Sequence, residues 1–361
     1  MAFNPLEPYN DLPLLPPVEE LETRDVLKAS IQANKALARL DGSLSQLPNP
    51  AILLDSIVLQ EAKMSSEIEN IITTHDELYQ YAVAERSTDN TATKEVLHYK
   101  EALWYGHEQV KANGLLTTNL FERIVQTIKK NNSGVRNTPG TRIANDKTGE
   151  VIYTPPLGED VIREKLKNLE VFLNLNDDGI DPLVKMAVAH YQFEAIHPFG
   201  DGNGRTGRII NILYLVQQGL LAQPILYLSR YILEHKAGYY QLLREVTEEG
   251  NWQRWIIYMI RAVEETSQIT LSKIDEIKLT MSTMGEAIRK DLPGIYSKDL
   301  LEVLFQRPYS KRQFIVDAGI AKIKTAGVYL ADLEEKGFLK SVEVGKEKLY
   351  LNTQFLEILK K

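Results

Sequence analysis

Residues 183–220 constrain the fold of this chain more than any other stretch. Leu183 to Ile196 carries Val184, Ala187, Val188, Tyr191 and Ala195 at helical spacing, and Ile209, Ile210, Leu213, Val216 and Leu220 repeat the pattern downstream. Between them residues 197–208 read HPFGDGNGRTGR, with four glycines, one acid and two arginines. Pro198 pushes His197 out of the α region. The chain must leave one apolar helix, turn through a glycine-rich loop and enter a second.

Gly202-Asn203-Gly204-Arg205-Thr206-Gly207 also fits the dinucleotide pattern G-x-G-x-x-G. That pattern needs a strand before the glycines and an acid about 20 residues later, inside a βαβ unit. Here the preceding segment is helical, and residues 222–228 contain no acid. A nicotinamide or flavin site is excluded.

Composition narrows the remaining classes. With 361 residues, 43% of them hydrophobic, the chain can bury more than one core, and its length suits two or three domains. A net charge of −7 gives no global basic field toward nucleic acid or membrane. No apolar run approaches the ~18 residues of a membrane span, and MAFNPLEPYNDLPLLPP lacks a basic region followed by an apolar one. The expectation is a soluble cytoplasmic protein without a membrane partner. Cysteine is absent, which removes disulfides, thiol nucleophiles and Cys-zinc sites.

Along the chain, residues 1–18 hold five prolines and read as an extended arm. Leu27, Ile31, Leu37 and Leu40 form a helical stripe closed by Asp41-Gly42, and Leu53 to about Ile72 reads as the next helix. Further helical patterns cover 74–86, 93–113, 117–131, 159–174, 183–196, 205–220, 230–248 and 251–290. TRIANDKTGEVIYTPP, residues 141–156, breaks the series. Arg142 to Ala144 and Val151 to Thr154 are β-type runs around a turn-rich centre, a hairpin closed by Pro155-Pro156. An isolated hairpin is marginal, so it requires docking or a partner strand.

Beyond Pro293 the character changes. Ser297–Phe305, Lys311–Val316 and Ile320–Lys336 predict three short helices, with a turn at Ala318-Gly319, and 339–351 alternates around Gly345-Lys346 as a hairpin. That order is a winged-helix pattern. This tail carries 12 Lys+Arg against 9 Asp+Glu, a net +3, leaving −10 for the rest.

The glycine run has a chemistry of its own. Gly202 and Gly204 let successive amides curl into an anion-binding concavity. Arg205 and Arg208 share a face in the first turn of the following helix, where cations are disfavoured by roughly 0.3–1 kcal/mol each. A strongly anionic ligand resolves that conflict. Asp201 would repel phosphate unless it held Mg²⁺, and His197 could take a proton from an incoming hydroxyl. Together these parts describe metal-assisted nucleotidyl or phosphoryl transfer; the plainer reading is an interhelical loop with two surface arginines.

HPFGDGNGRTGR closely resembles the Fic motif, HPFx(D/E)GNGRxxR, with every fixed position present. The resemblance implies transfer of AMP from ATP to a Ser, Thr or Tyr hydroxyl of a protein target. Carried over, His197 is the base and Asp201 holds Mg²⁺ on the α- and β-phosphates. Gly202, Asn203 and Gly204, with the Asn203 side chain, line the anion hole, and Arg205 and Arg208 clamp the β- and γ-phosphates. Gly204 stands where the kinase branch of the family has lysine, which favours nucleotidyl transfer.

EAKMSSEIENII, residues 61–72, places Ser65 and Glu69 four apart on a helix, followed by Asn70. It resembles the family's inhibitory pattern, (S/T)xxxE(G/N). By that resemblance Glu69 pairs with Arg208 where the γ-phosphate must sit. The 141–156 hairpin resembles the Fic flap, whose edge takes up an extended target segment. Thr141, Arg142, Ile143, Ala144, Val151, Ile152 and Tyr153 are its docking residues; a packed structural hairpin is the alternative. Tyr239-Tyr240 resemble the family's adenine-side tyrosines, with Tyr240 the better stacking candidate. His190 reads as a hydrogen-bonded core histidine, and Glu194 as a brace for the loop.

The expected fold is mainly α: a Fic helical core with a β-hairpin flap, plus a C-terminal winged helix-turn-helix. Its parts are an N-terminal helical region at 1–112 with the inhibitory helix at about 53–72, a Fic core at 113–290, and a winged-helix domain at 293–361. The expected ligands are ATP, Mg²⁺ and a hydroxyl-bearing protein target, with a homodimer admitted by family analogy. DNA would engage Lys322, Lys324, Lys346 and Lys348 of the winged helix, against a protein-interaction role for the same domain. Rival readings are another nucleotide or AMP removal at the same site, and a DNA-binding regulator whose Fic core only senses nucleotide.

Overall fold

The computed structural model describes residues 3–44, 51–84, 90–145, 148–344 and 347–361. Lys346 and the Asp146-Lys147 pair at the flap's turn lie outside them. The N-terminal helices are α1 (Arg24–Leu44), α2 (Ala51–Ile68), α3 (His75–Ala84) and α4 (Thr91–Asn113). The core continues with α5 (Thr118–Lys129), strands β1 (Ile143–Ala144) and β2 (Val151–Tyr153), α6 (Glu159–Asn174), α7 (Pro182–Ile196) and α8 (Asn203–Gln217). After these come α9 (Leu228–Glu234), α10 (Lys236–Glu249) and the long α11 (Trp252–Asp291).

Helices α7 and α8 sit at the centre. Nearly every residue of α7 is buried, which fits a helix apolar all round rather than on one stripe. Asp181 caps it by accepting from Leu183 N–H at 2.8 Å, and Pro182 occupies the first turn, where its missing donor costs nothing. Gly207 allows α8 to lie close to α7: a Cβ there would come within 2.6 Å of Glu194 Oε1 and 3.0 Å of Phe193 Cδ1.

Several sequence expectations shift in register. On α1 the face packed along α11 is Val26, Ala33, Leu37, Leu40 and Leu44, while Leu27 and Ile31 are exposed. Small residues at Ser30, Ala33 and Ala36 allow that close packing, and the helix runs through Asp41-Gly42 instead of ending there. Helix α2 stops at Ile68, because Asn70 takes a left-handed φ of 61° and turns the chain. Glu69 thus lies just past the helix end rather than within it. The expected 230–248 helix is two helices that break at His235.

The flap is a short antiparallel ladder, Ile143↔Tyr153 and Ala144↔Val151, with an irregularity between the two pairs. Its support comes from docking, as a hairpin this small requires. Tyr153 Oη donates to Ala195 O at 2.8 Å, and the proline-rich arm crosses the base, with Tyr9 N–H donating to Thr154 O at 3.0 Å. Phe3 stacks on the Tyr153 ring at 5.7 Å.

The C-terminal unit comprises α12 (Lys298–Gln306), β3 (Tyr309–Ser310), α13 (Arg312–Asp317), α14 (Ile323–Glu335), β4 (Lys340–Val344), β5 (Glu347–Leu351) and α15 (Thr353–Lys360). The three helices and hairpin appear in the expected order. Strand β3 adds to the hairpin, giving sheet order β3-β5-β4, and α15 was not foreseen. Helix α14 starts three residues later than expected, after the Gly319 turn at φ 70°. Lys322 and Lys324 are exposed at its start, whereas Lys348 is paired with Glu334 at 2.9 Å. Helix α15 reaches the core: Leu359 O accepts from Gln60 Nε2 of α2 at 2.7 Å and from Lys273 Nζ of α11 at 3.3 Å. Among the described residues no helix is long and apolar enough to cross a membrane.

Candidate active site

The 197–204 loop, the start of α8, the flap and α10 enclose a cavity of about 780 Å³. The structure brings His197, Asp201, Gly202, Asn203, Gly204, Arg205, Arg208, Glu69 and Tyr240 to its wall, with Ile143, Ile152 and Tyr153 from the flap. Thr141, Arg142, Ala144 and Val151 stand around the same hairpin without lining the cavity.

His197 follows the last residue of α7 in a left-handed conformation, φ 48° and ψ 59°. Burial and the neighbouring Arg136 guanidinium push its imidazole down to about 4. It is therefore neutral near pH 7, the state a proton acceptor needs. Asp201 lies four residues on. Burial alone would raise its carboxyl, but Lys129, Arg205 and the Gly202 N–H together hold it below the ordinary range. Lys129 Nζ is 2.5 Å from Asp201 Oδ2, so a cation already stands at this carboxylate. One anionic oxygen ligand beside an amide cradle fits Mg²⁺, which keeps most of its shell for water and phosphate.

Asn203 departs from its expected role. Its Oδ1 accepts from Phe199 N–H at 2.8 Å and its Nδ2 donates to Phe199 O at 2.7 Å. Both ends of the side chain close the loop, at the cavity wall. Gly202 supplies the left-handed turn into α8 at φ 81°. At Gly204 a Cβ would sit 2.8 Å from both Arg208 Nη1 and Glu69 Oε1, so a side chain there would have to displace the ends of that pair.

The two arginines are among the most buried large side chains. Arg208 Nε donates to Ser65 Oγ at 2.7 Å, and its Nη2 donates to Ser65 O at 2.8 Å and Glu69 Oε1 at 2.9 Å. Burial pulls this guanidinium's pKa down, but Glu69 and its other neighbours more than offset that and raise it. Arg205 has Nε 2.7 Å from Glu69 Oε2 and Nη1 2.7 Å from Glu95 Oε2. Glu69 thus spans both motif arginines, where the sequence pointed to Arg208 alone. Asn70 contributes through its backbone turn.

Helix α2 is fixed in place for this contact. Buried Glu61 accepts from Ser229 N–H at 3.0 Å and Tyr99 Oη at 3.1 Å. Tyr239 is committed to the core, its hydroxyl 2.9 Å from His190 Nε2, whereas Tyr240 is 43% exposed at the cavity. His190 is the expected core histidine, pushed by burial to about 3. Glu194, read from sequence as a brace for the loop, lies on α7 at the cavity wall and packs under Gly207, and burial raises its carboxyl to about 7.

Three functional-site residues escaped sequence reading: Glu95 on α4, Lys129 on α5 and Arg136 before the flap. Glu95 and Lys129 stand among other charges and Arg136 lies in a turn-rich run with no motif around it, so only tertiary packing gives each its partner.

The fold and site together define a Fic-type protein, and the chain belongs to the Fic/DOC family. The family's N-terminal region matches residues 27–108 and its Fic domain residues 115–215. Residues 280–355 match a domain described as the protein adenylyltransferase SoFic-like C-terminal domain. Protein adenylyltransferase fic-1 of Caenorhabditis elegans is 33% identical over 116 residues, 31% of this chain and 21% of that protein. The match to the Caenorhabditis briggsae fic-1 also spans 21% of that protein, so the shared region is about a fifth of these relatives. The probable protein adenylyltransferase aq_aa38 of Aquifex aeolicus is 28% identical over 76% of this chain and 87% of its own length. A Fic family protein from Desulfovibrio desulfuricans G20 shares the fold at TM-score 0.58 and 15% identity, covering 94% of this chain and 98% of that one. C. elegans Fic-1 gives TM-score 0.54 at 18% identity over 71% of this chain and 74% of the solved one.

Proposed function

We propose that the protein transfers AMP from ATP to a Ser, Thr or Tyr hydroxyl of a protein target, and that Glu69 holds this activity down. The observation that carries the reading is the Glu69 carboxylate clamped across Arg205 and Arg208 at the wall of the cavity that holds His197. Two buried guanidinium groups beside an amide-lined helix start form a phosphate site, and an internal carboxylate occupies it. The names of the relatives, protein adenylyltransferases, agree with that chemistry.

In this scheme the target hydroxyl lies beside His197, which takes its proton as the oxygen attacks the α-phosphorus. The bond from the α-phosphorus to the bridging oxygen breaks, and pyrophosphate leaves with its charge met by Arg205 and Arg208. The Gly202, Asn203 and Gly204 backbone amides face the phosphate oxygens. Mg²⁺ at Asp201 would neutralise phosphate charge, and Lys129 would give up the carboxylate to it. The flap positions the target chain by main-chain pairing, with Ile143, Ile152 and Tyr153 toward the cavity. Tyr240 borders the space for the base.

The test compares wild type, Glu69→Gly and Glu69→Gly/His197→Ala with α-labelled ATP, Mg²⁺ and cell lysate. Protein-bound label should rise in Glu69→Gly and vanish in the double variant. No label from Glu69→Gly with any ribonucleotide would sink the transferase reading. Label equal to wild type would remove the inhibitory role and leave the catalytic one.

A further inference from the structure

We infer that Arg136 is a positioning residue for the base, fixing the backbone of His197 and tying it to the base of the flap. Arg136 lies between α5 and β1 and is 6% exposed. Its own N–H donates to Pro198 O at 2.9 Å. Its Nε donates to His197 O at 2.8 Å, and its Nη2 donates to Pro156 O at 2.6 Å and Ile196 O at 3.3 Å. Four carbonyls therefore converge on one residue, three of them consecutive across the end of α7. Among the described residues no carboxylate forms an ion pair with it.

That arrangement has a physical purpose. The last carbonyls of a helix lack intrahelical donors, and a cation there is favoured by the helix dipole. His197 also holds a left-handed conformation that L-residues avoid. Only surrounding contacts keep such a residue in place, and the Arg136 fork supplies them. Pro156 closes the descending side of the flap, so the same guanidinium joins the target-presenting element to the base. A target hydroxyl delivered by the flap and the imidazole that receives its proton are then held in one frame.

The charge matters as well as the geometry. The titratable groups around His197 are Arg136, Glu194 on α7, Asp201 in the loop, Tyr153 on β2 and Lys129 on α5. Burial is the main reason that the imidazole stays neutral, and Arg136 adds to it, while a hydrogen bond to the Glu194 backbone and then Asp201 oppose it.

This inference rests on the transferase reading for its kinetic consequence but not for its structural one, and two measurements separate them. The first is an NMR titration of the His197 ring in wild type, Arg136→Met and Arg136→Lys, assigned with His197→Ala. The wild-type ring titrates near 4, the lysine variant stays low, and the methionine variant moves toward the ordinary value of about 6.5. The second measures label transfer in the Glu69→Gly background. Arg136→Met should lower kcat by about 10²-fold, the scale of a misplaced base, with ATP affinity within threefold. Arg136→Lys should retain part of the rate, having one donor group in place of the fork. An unmoved His197 titration together with a rate within threefold of the parent overturns the inference. If Glu69→Gly transfers nothing, the functional reading fails and the titration still decides the role of Arg136. Should Arg136→Met not fold, the lysine variant decides it: a rate equal to the parent refutes the need for the fork.

Discussion

Replacing Glu69 should change nucleotide affinity by an amount that its contacts set. Its carboxylate lies 2.9 Å from Arg208 Nη2 and 2.7 Å from Arg205 Nε, two charge-assisted contacts. A hydrogen bond to a charged group contributes about 1.5–3 kcal/mol; Arg208 makes one to Glu69, and the Arg205 contact is an ion pair without hydrogen-bond alignment that adds less. Glu69 is 24% exposed, so solvent screening takes the pair to roughly 2–3 kcal/mol in total. Nucleotide must displace that interaction before its own phosphates reach the guanidinium groups. At about 1.4 kcal/mol per factor of ten, Glu69→Gly should bind an ATP analogue with Mg²⁺ roughly 30- to 100-fold more tightly. The arginines stay preorganised in the variant, because Ser65 still holds Arg208 and Glu95 still holds Arg205. Calorimetry on wild type, Glu69→Gln and Glu69→Gly measures this, with AMP as a control that lacks the terminal phosphates. Glutamine keeps the shape without the charge and should fall between the other two. A gain below threefold for ATP, or an equal gain for AMP, refutes the competition between Glu69 and phosphate.

Two further outcomes follow from the site's charges. Lys129→Met should tighten Mg²⁺ binding several-fold, since Lys129 Nζ now sits 2.5 Å from Asp201 Oδ2; Mn²⁺ titration by electron paramagnetic resonance reads it, and unchanged affinity argues that Lys129 does not compete. Stability should fall as pH drops from about 6.5 toward 4.5, because His75, His190 and His197 have folded values of about 4, 3 and 4. Their unfolded forms take up protons first, whereas Glu194, raised to about 7, works in the opposite direction. His98 and His107 are lowered as well, and buried Glu61 is raised like Glu194. Five histidines against two acids leave a net uptake on the order of two protons on unfolding, and a denaturation midpoint equal at about pH 7 and about pH 5 would contradict it.

The loop was legible because its chemistry is local. His197, Asp201, Gly202, Gly204, Arg205 and Arg208 occur within one run, and backbone geometry alone brings them together. Glu69 was legible by pattern, but its reach to Arg205 was not, since α2 ends at Ile68 and Asn70 turns the chain just past Glu69. Glu95 and Lys129 stand on α4 and α5 among other charges, and periodicity cannot say which charge turns inward. The α1 stripe was misphased for a related reason. Leu27 and Ile31 satisfy the period, but the small residues Ala33 and Ala36 choose the face that packs on α11. Strand β3 has two residues and gains its identity only from β5.

On the proposed reading, inhibition and substrate binding use the same two guanidinium groups, and this fixes how the chain would be released. Any ligand that draws α2 away from α8 must favour ATP by the same factor by which ATP favours that ligand. Besides Glu69 and the Ser65 bonds to Arg208, helix α2 is held by Glu61, which bonds Ser229 and Tyr99, and by Gln60, which donates to Leu359 O of α15. Lys273 reinforces the second, donating to Gln60 Oε1 and Tyr227 Oη, both at 2.9 Å. The first hold lies within the helical core, so breaking it would cost core stability as well as release Glu69. The second joins α2 to the C-terminal unit, which contributes no residue to the cavity wall. Energetic coupling between a C-terminal ligand and the Glu69 clamp therefore has a short physical route, from α15 through Gln60 and two turns of α2 to Ser65 and Glu69.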